Sequence, residues 1–333
     1  MTVEAGRQDT AIRYRVCGHI LSCDAAIPQL ELTQSLDTTA GSDLQVLFTP
    51  PKDGIALPSS WFLNVSLADG TPWMRCATVS HGYLFRFPDL ADFVFDTARN
   101  SIRCIPRPET PPHTLHHLLL DQVLPLVLNY KGKEVLHGTA VVTPWGACAF
   151  VGPTGAGKST LAASFLSAGF SVLADDCLVL DELAGTIVAI AAYPGLRLWD
   201  DAIVALFGVT ESCAPVAHYT PKQRFTAALS TTPFRSSAVP LAAVYVLGPS
   251  PAVSTDHGAT PLISQIAERD AFMTLHSLAF RLDIRDTCML SREFDMLHRI
   301  VSQIPVRRLA LPHSFVALPA VQAAVLYDLA VSC

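Results

Sequence analysis

Residues 152 to 159 read Gly152-Pro153-Thr154-Gly155-Ala156-Gly157-Lys158-Ser159, a complete G-x-x-x-x-G-K-[ST] pattern. An apolar run, Ala147 to Val151, stands before it, and a helix-forming run from Leu161 to Leu166, ending at Gly169, stands after it. A strand that turns through glycines straight into a helix aims a row of backbone N–H groups, and the positive end of the helix dipole, at one point. The expected occupant is the phosphate chain of a nucleotide. Gly152, Pro153, Thr154, Gly155, Ala156 and Gly157 would wrap it, Lys158 would reach its β- and γ-phosphates, and the Ser159 hydroxyl would ligate a bridging Mg²⁺. Thr160, next along, would face the base side or the α-phosphate.

The rest of the composition narrows the class. Half of the 333 residues are apolar, enough for a large core, and a formal charge of −6 with 16% charged residues leaves no basic stripe for nucleic acid. The nine cysteines are scattered without C-x-x-C spacing, which fits core residues of a reducing cytoplasm rather than zinc ligands. The N-terminus is polar with no apolar leader. The longest uncharged run, between Glu134 and Lys158, is broken by Pro144, Pro153 and several glycines, so no membrane span is expected.

Strand-like segments at Ala11 to Leu21, Leu44 to Phe48, Trp61 to Leu67 and Tyr83 to Phe87 predict a β-rich N-terminal module over residues 1–112. A proline-rich stretch from Ile105 to Pro112 ends it, and a helical pattern from Thr114, as cap, to Tyr130 follows, interrupted at Pro125. Over residues 113–333 strands and helices alternate, which predicts an α/β core. Strands are expected at Val135 to Thr143, Ala147 to Val151, Ser171 to Ala174, Cys177 to Asp181, Thr186 to Ala192 and Leu241 to Leu247. Helices are expected from Lys158, at Asp200 to Phe207, and at the C-terminal end over Ala267 to Phe280, Arg292 to Gln303 and Gln322 to Ser332.

A second chemical feature follows the strand Ser171 to Ala174. Asp175 and Asp176 stand seventeen and eighteen residues beyond Lys158, and two carboxylates at a strand end beside such a loop can hold Mg²⁺ and take a proton from an attacking hydroxyl. The strand Ala242 to Leu247, where a motor ATPase would carry its acid, ends in Gly248-Pro249 instead.

His137-Gly138 on a strand, the loop Gly152 to Ser159, and Ala174-Asp175-Asp176 closing a strand come in an order and spacing that resembles the catalytic domain of HPr kinase/phosphorylase over roughly residues 130 to 210. That resemblance implies an HPr-kinase-like phosphate-loop fold using ATP, or GTP, with Mg²⁺. Asp176 would be the general base toward a serine hydroxyl and Lys158 a stabiliser of the transferring group, with His137 beside the base, Ser159 on the metal and Asp175 either facing the metal or supporting its ligands from behind. It also implies self-association as a homo-oligomer. The family's Leu-Glu-Ile-Arg-Gly run is replaced by Tyr193 to Asp201, with no Glu, leaving Asp200 and Asp201 as candidate metal ligands or helix caps; no phosphorolysis segment follows. Ile27 to Leu30, Leu118 to Pro125 and Tyr193 to Trp199 make the whole chain look more like the HPr-kinase-related kinases of lasso-peptide pathways, which implies a peptide or small-protein phosphoacceptor.

Tyr219 to Phe225 places Lys222 and Arg224 in an expected loop that could close over the γ-phosphate, while Arg281, Arg285 and Arg292 could receive a peptide carboxylate. Three functions accommodate these residues: a serine kinase of peptides, an NTPase or small-molecule kinase built on the same loop, and a nucleotide-sensing module that binds a peptide without turnover.

Overall fold

The computed structural model describes residues 11–33, 41–51, 55–67, 69–208, 213–226, 237–248, 261–312 and 314–332. It is a mixed α/β protein that divides into two compact units, Met1–Leu119 and Leu120–Cys333. The N-terminal residues 1–10 and the last cysteine, Cys333, lie outside the described residues.

The first unit holds one eight-stranded sheet. Its strands are β1 (Ile12–Val16), β2 (His19–Cys23), β3 (Leu44–Phe48), β4 (Leu63–Ser66), β5 (Pro72–Val79), β6 (Gly82–Phe87), β7 (Ala91–Asp96) and β8 (Ser101–Pro106), in the spatial order 1-2-3-8-7-6-5-4. The expected single strand Ala11 to Leu21 is a hairpin, because Cys17 and Gly18 take positive φ and turn the chain. Helix α1 (Pro112–Leu118) starts from Pro111, and Thr114 lies buried inside it rather than capping it. Pro at the first helical position costs nothing, since its missing N–H would have had no partner there.

Pro125 does not break the helical stretch. A proline has no N–H to give the carbonyl four residues back, here that of Asp121, and the segment just before it, Leu119–Val123, is wound in the wider π register before α2 (Leu124–Tyr130) resumes.

In the second unit the strands are β9 (Glu134–Thr143), β10 (Gly146–Val151), β11 (Ser171–Ala174), β12 (Cys177–Leu183), β13 (Thr186–Ile190), β14 (Leu196–Leu198), β15 (Ala214–Ala217), β16 (Thr220–Phe225), β17 (Val239–Gly248), β18 (Leu262–Gln265) and β19 (Val306–Ala310). The helices are α3 (Lys158–Ser167), α4 (Asp200–Phe207), α5 (Glu268–Leu278), α6 (Thr287–Gln303) and α7 (Leu318–Ala330). Pairing runs in a closed ring, β10-β9-β12-β13-β17 and back to β10, with β19 and β18 extending from β17. A separate three-stranded sheet has the order β14-β16-β15.

The partner switch along β9 positions everything that follows. One edge of this strand pairs with β12 over Glu134 to His137 and then with β11 from Ala140 to Val142, so β11 and β12 form one line interrupted at Asp175-Asp176. The other edge takes β10, whose last residue, Val151, lies opposite Gly138. A Cβ on Gly138 would stand 3.0 Å from the Val151 side chain and 3.2 Å from that of Leu178, so a residue without a side chain is what lets the two neighbours close there.

The apolar residues Leu161, Phe165 and Leu166 of α3 are buried in one cluster with Phe150, Leu198, Phe225, Val321 and Val325. Each such side chain contributes about 1.5–3 kcal/mol by leaving water. Gly169, at φ +92°, ends the helix, with its N–H donating to Leu166 and that of Phe170 to Phe165, a two-bond stop that needs the left-handed conformation.

Buried Glu134 opens β9 beside Glu293, which is held by Arg281 Nε at 2.7 Å and His276 Nδ1 at 2.7 Å, while one Glu134 oxygen has no hydrogen-bond partner among the described residues. Burial, and then the charge of Glu293, pushes the Glu134 carboxyl well above its usual range against the pull of Arg281, so folding favours its neutral form. A raised native pKa gives stability that is complete below the unfolded value and is lost as pH rises through the folded one. Glu134→Gln is therefore expected to melt like the parent below the ordinary glutamate value of 4.5 and increasingly above it as the pH rises from there. Thermal melts across that range check this, and parallel declines for both proteins would refute it.

Candidate active site

The loop after β10 and the turn between β11 and β12 lie on opposite edges of the same short piece of β9, His137 to Thr139. Gly152, Gly155 and Gly157 all take positive φ, at +149°, +84° and +89°, and Gly157 stands directly before α3. Pro153, Thr154 and Gly155 are exposed, and Ala156, Ser159 and Thr160 are partly exposed. Lys158 is folded back along the loop, its ammonium donating to the carbonyls of Gly152 at 2.8 Å and Pro153 at 2.9 Å. Burial lowers its pKa, Asp176 and Asp175 oppose this, and Lys222 adds to it.

The carboxylate turn is tightly built. Asp176 has φ +62°, and the Cys177 N–H donates to the Asp175 carbonyl at 2.8 Å, closing a three-residue turn of the strained hand. A non-glycine residue in that region costs on the order of 1–3 kcal/mol and persists where its surroundings hold it. Fully buried Asp175 points its Oδ1 at the loop, accepting from Ser159 Oγ at 2.8 Å and Thr139 Oγ1 at 2.7 Å, and its Oδ2 accepts from the Arg197 backbone at 2.9 Å. Asp176 stays partly exposed, with Oδ1 3.9 Å from His137 Nδ1 and Oδ2 3.6 Å from Arg197 Nε. Burial lowers the His137 pKa, Lys158 adds to this, and the two carboxylates oppose it, so the ring is neutral at neutral pH.

The residues His137, Lys158, Ser159, Asp175 and Asp176 thus converge. Lys222 and Arg224 differ from expectation: they stand on strand β16, not in a loop, and on the same face, since strand side chains alternate. Lys222 is half-buried and within electrostatic reach of Lys158. Arg224 is only 3% exposed, lies 5.6 Å over the Tyr193 ring and 4.0 Å from Asp121, and none of its three nitrogens has a hydrogen bond among the described residues. Gly195 makes room for it, as a Cβ there would meet its chain at 3.2 Å.

Asp200 and Asp201 occupy the first turn of α4, where acidic residues suit the helix dipole; Trp199 is the cap position. Arg281 is engaged by Glu293 of α6 and donates to the His276 carbonyl of α5, and Arg285 pairs with Asp283 at 2.7 Å. Arg292 donates to the Tyr130 carbonyl at 3.5 Å.

Sequence reasoning missed Thr139, Arg197, Asp121 and Tyr193 as parts of this site. Asp121 and Arg197 were detectable in principle: each is a lone charge inside an apolar run, and a charge that goes into a core needs an opposite one there.

Among the described residues no helix is long and apolar enough to cross a membrane, and no group of three or more His, Cys, Asp and Glu gathers as a metal cage. No protein-family model matches the chain, and no curated protein matches it by sequence. Among solved structures it is similar to the Hpr(Ser) kinase/phosphatase from Coxiella burnetii, with a TM-score of 0.34 and 11% identity, covering 60% of this chain and 99% of that one. At that similarity the function has to be read from the site's own residues.

Proposed function

We propose that the chain is an ATP- and Mg²⁺-dependent kinase that transfers the γ-phosphoryl group to a serine hydroxyl of a peptide or small protein. The observation that carries this reading is the seating of the Asp175-Asp176 turn against the loop, with Ser159 Oγ 2.8 Å from Asp175 Oδ1 and the Asp176 carboxylate left partly open to solvent. The loop amides and Lys158 would bind the β- and γ-phosphates, Lys158 giving up its two carbonyl contacts for them. Mg²⁺ suits the donors present: Ser159 and Asp175 offer hard oxygens, and Mg²⁺ takes most of its six ligands from phosphate and water rather than from a protein cage. When bound, it neutralises charge on the β- and γ-phosphates.

Asp176 takes the proton of the acceptor hydroxyl as that oxygen bonds to the γ-phosphorus and the bond to the β-phosphate bridging oxygen breaks, leaving ADP. Lys158 and the loop amides stabilise the phosphoryl oxygens in flight. Neutral His137, beside Asp176, adds no positive charge to draw the carboxylate away from the acceptor.

An array of serine peptides with alanine replicas, incubated with the protein, γ-labelled ATP and Mg²⁺, tests this. Label held on serine spots and missing from the replicas is the expected result. Phosphate released at one rate with or without peptide would make water the acceptor, and nucleotide bound but never consumed would make the protein a sensor.

A further inference from the structure

Two runs to which the sequence alone gives no chemical role, Leu118 to Pro125 and Tyr193 to Trp199, supply Asp121 from the first and Tyr193 and Arg197 from the second. These three side chains bond to one another in the interior, directly behind the carboxylate turn. We propose that Arg197 is a positioning residue for phosphoryl transfer: anchored by Asp121 and Tyr193, its guanidinium holds the Asp175-Asp176 turn and sets the direction in which the Asp176 carboxylate faces. This rests on the reading of Asp176 as the base.

The donors of Arg197 account for one another. The side chain is 1% exposed, and its backbone N–H donates to Asp175 Oδ2 at 2.9 Å. Nη1 donates at 2.9 Å to the Asp175 carbonyl, the same oxygen that accepts the turn-closing N–H of Cys177. Nη2 donates to Asp121 Oδ1 at 2.6 Å and to the Tyr193 hydroxyl, which itself donates to Asp121. The Tyr193 ring lies 4.9 Å beneath the guanidinium. The remaining donor, Nε, has no hydrogen bond among the described residues, and it stands 3.6 Å from Asp176 Oδ2, a few tenths of an ångström beyond bonding distance. A planar fork with fixed donor directions can meet these acceptors together; an ammonium cannot.

Asp121 is what keeps the guanidinium from collapsing onto the two carboxylates in front of it. Its Oδ1 pulls on Nη2 from the far side, and its Oδ2 faces the second buried guanidinium, that of Arg224, at 4.0 Å. Asp121 itself stands on the π-wound segment Leu119–Val123, just ahead of Pro125. The strained backbone of Asp176 is thereby held from behind, by Arg197 bonding to the carboxylate turn and by Asp121 and Tyr193 bonding to Arg197, so their loss should show in the chemical step rather than in nucleotide binding.

The test uses the full chain with Arg197→Lys, Asp121→Asn and Tyr193→Phe, each checked for folding by circular dichroism. For each, kcat and KM are measured with the acceptor peptide found on the array and as phosphate release to water, alongside the equilibrium Kd for ATP. Expected are a kcat lower by about 100-fold for Arg197→Lys, as for an ångström-scale misplacement, and by roughly 10-fold for Asp121→Asn, with Kd for ATP within about 3-fold of the parent. If Arg197→Lys does not fold, the other two carry the test. A folded Asp121→Asn with parental kcat overturns the proposal, as does a loss of ATP affinity in proportion to kcat, or failure of all three to fold. Asp176→Asn separates the two ideas: if it stays active the base assignment fails, whereas an inactive Asp176→Asn beside fully active Arg197→Lys and Asp121→Asn sinks the positioning role alone.

Discussion

Asp176→Asn is expected to lower phosphoryl transfer by about 1,000-fold or more, within the range that a general base contributes, while ATP affinity stays within about 3-fold. Asn is the informative replacement because of the backbone. Asp176 sits at φ +62°, a region that Asn, like Asp, enters more readily than other side chains, so the turn and its Cys177-to-Asp175 hydrogen bond survive the change. What disappears is the ability to accept a proton. Asp175 stays in place, but it is buried with its oxygens toward Ser159, Thr139 and the Arg197 backbone and does not take the solvent-open position of Asp176. Single-turnover transfer and equilibrium ATP binding, measured on the same preparation, separate the two effects. Parental transfer by the Asn variant would remove Asp176 from the mechanism.

A second large effect is expected at Gly152. At φ +149° an L side chain is strained, and a Cβ there would stand 2.9 Å from the Leu247 carbonyl, a backbone atom of β17 fixed by parallel pairing with both β10 and β19. Neither side can yield cheaply, so Gly152→Ala should displace the start of the loop and weaken ATP binding by about 30-fold or more, about 2 kcal/mol. Gly155 makes the control. Its φ is +84°, but no atom lies within 4 Å of where a methyl group would stand, so Gly155→Ala carries the backbone cost of about 1–2 kcal/mol without the clash. Titration of both variants with ATP should rank Gly152→Ala well below Gly155→Ala, and equal affinities would show that the Leu247 contact does not shape the loop.

The parts of this site that a sequence exposes are those written in local geometry. The loop, β10 and α3 form one continuous stretch in which glycines, an apolar strand and a helix follow in order, and Ala174-Asp175-Asp176 ends a short apolar strand within twenty residues of it. What stayed hidden depends on pairing at a distance. Strands β9 and β17 read as simple apolar runs, yet each changes partner midway, and it is the change along β9 at His137-Gly138 that sets the loop and the carboxylates on opposite edges of one strand. Arg197 and Asp121 are 76 residues apart and meet inside the core. In the first unit, β5, β7 and β8 escaped notice because a charged residue, Arg75, Asp92 or Arg103, interrupts each of them; Arg86, inside the expected strand Tyr83 to Phe87, and Asp92 on β7 pair at 2.7 Å in the interior only because the sheet brings them together. Lys222 and Arg224 illustrate the converse, a polar stretch with proline that reads as a loop but alternates as a strand between β14 and β15.

The central claim is that the loop and the Asp176 turn together move a phosphoryl group onto a serine. Its most direct test is the intact mass of a serine-containing peptide, taken first as the one encoded nearest the gene, after incubation with the protein, ATP and Mg²⁺. The account predicts one added phosphate on a serine with the parent protein and none with Asp176→Asn. ATP consumed with every peptide tried left at its starting mass, or equal phosphorylation by the Asn variant, would contradict it.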